Sequence, residues 1–166
     1  MAVPVYTDAL EFLEEERGAW APYEALDGLT DDQLERPTDP PGPAHGWSGR
    51  DLAGHVVACQ ESLLVVVKEL ALADSSPTIQ RWAADAGYDL DAQNARWLAE
   101  WGALPLAEVR RRLREVPGEL RGYLTVVPEV RWLKNPDRLA LVLGDTIEHY
   151  EEHRPELASI LAAADR

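Results

Sequence analysis

The strongest constraint on the fold is a row of apolar residues with the spacing of a helix-bundle seam. The residues recur every four or three positions: Leu52, Val56, Cys59, Leu63, Val66 and Leu70. Ser48 precedes this row as a helix N-cap, and Asp51 stands three residues later, where it can complete a capping box. Runs that alternate apolar and polar residues between turn pairs are nearly absent, so the sequence gives almost no strand signal. We therefore predict an all-α fold whose central helix begins after Ser48.

Helical spacing recurs along the rest of the chain. A first helix is predicted after Thr7 as N-cap, with Leu10 and Leu13 on its inner face. Further helices are predicted over residues 90–101 and 104–124, with strain or a bend at Pro117, and residues 74–89 are a connection of uncertain structure. The last helix is predicted from the Asn135 cap to at least residue 154, with a bend at Pro155.

Length and composition favour one acidic, soluble domain spanning residues 1–166. Apolar residues make up 46% of the chain and charged residues 28%, which is ordinary for a globular protein. A net charge of −14 disfavours nucleic acid and anionic membranes as partners. We find neither a signal peptide nor an apolar run long enough to cross a bilayer, so a cytoplasmic location is expected. The single cysteine, Cys59, excludes an internal disulfide and is expected to be a small buried hydrophobe rather than a nucleophile.

The candidate chemistry lies in three of the four histidines. His149 and His153 are four residues apart on a predicted helix, which places both rings on one face. His55, on the central helix, is the natural third ligand for a divalent ion with one open coordination position. Glu152 is an alternative ligand, and Glu148 could orient a ring from outside the ligand shell.

The same side chains also fit roles without a metal. A histidine pair can occur by chance on an exposed helix, a partly buried histidine is often only a hydrogen-bonded core residue, and such glutamates often only solvate a helix face. His45 lies in a loop rich in glycine and proline and is not counted as a ligand.

Several segments together resemble the DinB-like superfamily. They are GWSGRDLAGHVVACQE, LDAQNARWLAEW, PLAEVRRRL, DTIEHYEEHRPEL and the MAVP opening. Within that superfamily they are similar to the mycothiol-dependent maleylpyruvate isomerases and to the single-domain branch that contains the colibactin self-protection protein. The resemblance implies a four-helix bundle of up-down-down-up topology with long connections, often dimeric. It also implies that His55, His149 and His153 bind zinc, nickel or a related ion.

The resemblance also suggests a class of reaction. Superfamily members include isomerases and transferases that use mycothiol or bacillithiol, so a low-molecular-weight thiol as co-substrate and an electrophilic small molecule as substrate are expected. A metal-dependent hydrolase is the related alternative, with Asp145, Glu148 or Glu152 as candidate bases.

Two further hypotheses involve no catalysis. The chain could sequester a flat or apolar compound among its six tryptophans, although core filling is the favoured role of those rings. It could also be a structural dimer with vestigial histidines.

Overall fold

The chain folds into helices joined by loops and turns. The computed structural model describes residues 4–166, so part of the MAVP opening lies outside the described residues. The α-helices are α1 (Ala9–Trp20), α2 (Asp31–Glu35), α3 (Gly49–Leu72), α4 (Pro77–Ala84), α5 (Leu90–Ala103), α6 (Leu106–Val126), α7 (Pro136–Gly144), α8 (Ile147–Glu152) and α9 (Arg154–Ala164). Short 3-10 helices occupy Ala21–Gly28 and Glu129–Arg131. No residue of the range 4–166 lies in a β-strand, which confirms the predicted all-α fold class.

Helix α3 lies at the centre of the packing. It packs most extensively against α6 and α5 and also contacts α9, while α1 packs against α6 and α8. The predicted seam is buried, apart from Cys59, which is half-buried. Burial of each such aliphatic side chain contributes about 1.5–3 kcal/mol, so the seam is a main source of stability. Within the described residues, no helix is both long and apolar enough to span a membrane.

The start of α3 agrees with the sequence prediction. The Ser48 hydroxyl accepts the N–H of Asp51 at 3.2 Å, and the Asp51 carboxylate accepts the N–H of Ser48 at 2.8 Å. Further along α3, Gly54 lies against Trp101 of α5, where an added Cβ would come within 2.7 Å of the Trp101 Cβ. The missing side chain therefore lets α5 pack closely beside His55.

The prediction for the first helix was wrong in detail. Asp8, not Thr7, is the N-cap and accepts the N–H of Glu11 at 3.0 Å. Leu10 is 66% exposed, whereas Phe12 is fully buried. The buried residues of α1 recur at helical spacing from Phe12 through Leu13 to Trp20, and Leu10 falls outside that stripe.

The middle of the chain is more helical than predicted. Residues 74–89, expected to be an undefined connection, contain α4, which begins after Ser76 as N-cap. Helices α5 and α6 lie close to their predicted ranges, and α6 continues through Pro117.

The last predicted helix is divided into α7, α8 and α9. Asn135 caps α7 as predicted, but the helix ends at Gly144. The hydroxyl of the buried Thr146 donates to the Val142 carbonyl at 2.5 Å, which competes with the helical bonding pattern at this point. The second interruption, at His153, agrees with the bend predicted at Pro155, because proline cannot donate to the carbonyl of Glu151.

Candidate metal centre

Three helical elements bring the histidines together. His55 lies in the second turn of α3, His149 lies in α8, and His153 lies at the junction of α8 and α9. The backbone N–H of His153 still donates to the His149 carbonyl at 3.2 Å, so these two residues keep the one-turn relation that their spacing predicts. Helix α3 contacts α9, which begins directly after His153, and this packing brings His55 to the other two histidines.

The three rings meet through their Nε2 atoms. Nε2 of His55 lies 3.0 Å from Nε2 of His153 and 3.0 Å from Nε2 of His149. The ring centroids are 4.6–4.9 Å apart, with steeply inclined planes. Trp47, just before α3, lies against His55 and His153 and shields this side of the group. The structure thus forms a compact group of three histidines whose ligand atoms all lie within 4.8 Å of one another.

Burial keeps two of these rings neutral. His55 and His149 are 6% and 9% exposed. Desolvation, followed by the nearby charge of His153, lowers the pKa of His55 to about 4. Desolvation, followed by His55 and His153, lowers the pKa of His149 to about 3. Both imidazoles are therefore unprotonated near pH 7 and can offer a lone pair to a cation.

The hydrogen bonding of the group is incomplete without a cation. Nε2 of His55 carries either one proton or one lone pair, so it can serve only one of its two neighbours. The Nδ1 atoms of all three rings are buried and have no hydrogen-bond partner among the described residues. Three converging lone pairs satisfy a divalent ion better than they satisfy one another.

The spacing fits such an ion. Zn–N bonds of about 2.0–2.1 Å in tetrahedral geometry place ligand nitrogens about 3.3 Å apart, which lies between the two 3.0 Å contacts of His55 Nε2 and the 4.8 Å within which all three ligand atoms fall. Small ring movements would be enough to admit an ion. Three ligands leave a fourth position for a thiol or water.

The glutamates expected near the rings are not part of this group. Glu148 and Glu152 are both exposed, and neither makes a contact with the histidines among the described hydrogen bonds and ion pairs. His45 is also exposed and lies in the loop before α3, apart from the three-histidine group.

Another carboxylate, Asp145, acts on Cys59 of α3 through its charge. Asp145 is half-buried in the interruption between α7 and α8, and burial raises its pKa to about 6. Its negative charge, after the larger effect of burial, raises the pKa of Cys59 to about 12. Cys59 lies one turn after His55 on α3, whereas the pKa shifts of His55 and His149 come from burial and from neighbouring histidines and not from Asp145. The thiol itself is a poor nucleophile, in agreement with the sequence analysis.

Glu156 was missed by the sequence analysis. Its carboxylate lies 3.4 Å from Nδ1 of His153. The sequence did contain a signal for it: Glu156 stands three residues after His153, and residues at that spacing share a helix face.

These features define an all-helical protein with a buried group of three histidines that could hold a divalent metal ion. The chain belongs to the DinB superfamily, whose sequence model matches residues 9–154 and so covers all three histidines. Searches of curated proteins and of solved structures found no significant match.

Proposed function

We propose that the three-histidine group binds zinc or nickel and that the chain is a metal-dependent enzyme acting on an electrophilic small molecule. The observation that carries the proposal is the convergence of three Nε2 atoms at 3.0 Å contacts in a buried place, two of them on rings whose lowered pKa values keep them neutral. In addition, Nε2 of His55 faces two ring nitrogens at 3.0 Å and can hydrogen-bond to only one of them, whereas a cation can accept a lone pair from each of the three rings.

The preferred reaction is transfer of a low-molecular-weight thiol. A divalent ion held by imidazoles lowers the pKa of a thiol or water at its open position to near neutral. In this proposal Asp145 accepts the proton that the thiol loses, and its pKa of about 6, raised by burial, would keep it ionised near pH 7 yet basic enough to bind a proton. The sulfur electron pair then forms a bond to the electrophilic carbon, and a leaving group departs with its electrons or a double bond accepts them.

Hydrolysis is the second candidate, and Asp145 is the observation that favours it. The same carboxylate could remove a proton from an attacking water. Glu148 and Glu152 are exposed and, within the described residues, form no hydrogen bond or ion pair with the three histidines. The two reactions differ only in the nucleophile, so the chain's own residues have the same tasks in both. Which nucleophile is used depends on whether a thiol can enter beside Asp145.

Sequestration without chemistry is supported by a pocket of about 440 Å³ between α3, α5 and α6. Trp97 and Trp101 line this pocket, and the Arg112 guanidinium lies 5.7 Å from the Trp101 ring. Trp101 is only 2% exposed, however, so most of its surface fills the core rather than facing a ligand. We rank this function below catalysis.

In this proposal the protein is cytoplasmic, acts on a small-molecule substrate and can form a homodimer. Its net charge of −14 makes binding to nucleic acid or to an anionic membrane unfavourable.

A thiol-conjugation assay tests the reaction. Protein loaded with zinc or nickel is incubated with a chlorodinitroarene and, in turn, with mycothiol, bacillithiol and glutathione. We expect faster conjugation than with metal-free protein, and loss of that rate in Asp145→Asn although the metal is retained. If no thiol reacts faster while an activated ester is cleaved, the hydrolase is favoured. If neither reaction is accelerated, the proposal of an enzyme is wrong and sequestration takes its place.

A further inference from the structure

Glu156 has the contacts of a residue that supports a metal ligand. It lies in the first turn of α9, three residues after His153. Its Oε1 atom is 3.4 Å from Nδ1 of His153, and the two side chains are only 15% and 13% exposed. The second carboxylate oxygen, Oε2, is buried and has no hydrogen-bond partner among the described residues. The carboxylate is therefore directed at the outer nitrogen of a ring whose inner nitrogen faces the other two histidines.

No other cation explains the burial of this carboxylate within the described part of the chain. Arg154, two residues before it, pairs with Glu151 at 3.0 Å. Tyr23, whose pKa is raised by burial and then by the charge of Glu156, donates its hydroxyl proton to the Tyr150 carbonyl at 2.6 Å. Within residues 4–166, the only ion-pair partner of Glu156 is His153.

His153 is also the ring that most needs such support. His55 and His149 lie inside helices, whereas His153 occupies the junction at which α8 ends and α9 begins. It is the least buried of the three, so packing alone restrains its ring less. Pro155, with its fixed φ, is the second residue of α9, and Glu156 follows it in the first turn, three residues after the ring of His153.

We propose that Glu156 is a positioning residue of the metal centre. Its carboxylate, 3.4 Å from Nδ1 of His153, closes to a hydrogen bond with the Nδ1–H when that ring binds a cation, and so holds the Nε2 lone pair of the ring toward His55 and His149. This inference rests on the metal-binding part of the proposed function. A carboxylate bound to the outer nitrogen of a ligand histidine fixes its tautomer and orientation and makes it a better ligand. The role belongs to Glu156 and not to Glu148 or Glu152, which are exposed.

Cobalt(II) binding tests the inference without any knowledge of the substrate. Affinity is measured by competition with a chelator, and the visible absorption of the bound cobalt reports the geometry of its ligands. We expect Glu156→Ala to weaken binding about 10–100-fold, and Glu156→Gln, which keeps the size and one acceptor oxygen, to weaken it less. Both variants should alter the cobalt absorption bands. Glu152→Gln, a matched change one residue before His153, should leave affinity and spectrum as in the parent.

The background of His153→Ala separates positioning from a general structural effect. There, adding Glu156→Ala should cause no further loss of cobalt affinity, because the ring that Glu156 orients is gone. An equal loss in both backgrounds, or a lowered melting temperature with affinity within about twofold of the parent, overturns the inference. If the parent itself binds no cobalt, the metal-binding proposal fails first, and that outcome also overturns the inference.

Discussion

Two buried polar clusters of this bundle meet at neighbouring residues of α8 and differ in how well they are satisfied. In the Glu16 network, Glu16 accepts from Arg121 at 2.5 Å and from the Tyr150 hydroxyl at 3.1 Å, and that hydroxyl accepts from Gln60 at 2.6 Å. In the three-histidine group, three Nε2 atoms crowd together and every Nδ1 atom lacks a hydrogen bond among the described residues. His149 and Tyr150 are adjacent and point about 100° apart around α8, so one short helix serves both clusters.

The difference shows that the protein's own side chains satisfy the polar atoms of one cluster but not those of the other. The Glu16 network pairs a carboxylate that is 1% exposed with a guanidinium, and only one of its buried polar atoms, Oε1 of Gln60, has no hydrogen-bond partner within the described range. Such a network restrains the packing of α1, α3, α6 and α8. The histidine group has converging Nε2 atoms and no cation between them, which is the pattern of a site that is complete only with its ligand.

The largest effect is expected from breaking the Glu16 network. Arg121→Met removes the positive charge and leaves the Glu16 carboxylate buried without its ion-pair partner. We expect a loss of about 3–5 kcal/mol in the free energy of unfolding, measured with urea on metal-free protein. Cobalt or zinc stoichiometry of the folded protein should be unchanged. Arg111→Met, which removes a guanidinium whose partners Glu108 and Glu115 lie at the surface, is the matched control and should have no measurable effect. Equal losses of stability in the two variants would show that the buried Glu16–Arg121 pair matters no more than the surface ion pairs of Arg111.

The second-largest effect is expected when zinc binds to the three-histidine group and stabilises the fold. Zinc at a free concentration of about 100 times its dissociation constant should stabilise the parent by about 2.7 kcal/mol, seen as a rise in melting temperature. His55→Ala, His149→Ala and His153→Ala should each lose most of this stabilisation and of the bound metal found by elemental analysis of untagged protein.

His45→Asn is the control, because His45 is exposed and asparagine tolerates its positive φ of 53°. It should bind zinc as the parent does. Retention of zinc by all four variants, or its absence from the parent, would show that the histidines are structural.

The smallest effect is the pH dependence of the empty group. The folded pKa of His149, about 3, lies below its unfolded value near 6.5, so the unfolded chain binds a proton that the folded chain does not, and stability falls as the pH drops below about 6.5. At about pH 5.5 this linkage is on the order of 1 kcal/mol. Metal-free His149→Gln should therefore lose less stability than the parent between about pH 7.5 and 5.5 in urea unfolding.

Two other groups bear on this comparison. The pKa of His55 is also lowered by burial, so this residue makes stability fall with decreasing pH in the parent and in His149→Gln. Asp145, with its pKa raised to about 6, acts in the opposite direction, because the folded chain then binds a proton before the unfolded one does. The Asp145 contribution is common to the two proteins, whereas loss of the His149 ring, 3.0 Å from His55, also changes the surroundings of His55, so the comparison reports the two histidines together. Identical pH profiles would mean that His149 is protonated in the folded protein and that the group is more open than its burial indicates.

Local signals in the sequence determined the helical class, the starts of two helices and the identity of the candidate ligands. Ser48 with Asp51 and Asn135 with Pro136 act through atoms within one turn, so their caps could be predicted from the chain alone. The spacing of His149 and His153 belongs to the same class of signal, since one helical turn relates them. The predicted single last helix was wrong because the Thr146 side chain bonds to the Val142 carbonyl, a choice that the sequence leaves open.

Only the tertiary structure decided which side chains meet. His55 is separated from His149 and His153 by 94 and 98 residues, and Glu16 is separated from Arg121 by 105. Such contacts depend on how α3 is rotated against α8 and α6, which is set by the packing of whole apolar faces rather than by any local pattern. The same packing left Glu148 and Glu152 exposed and turned Glu156 toward His153. All three glutamates lie within four residues of a histidine in the sequence, but a side chain's direction around a helix has meaning only once neighbouring helices are in place.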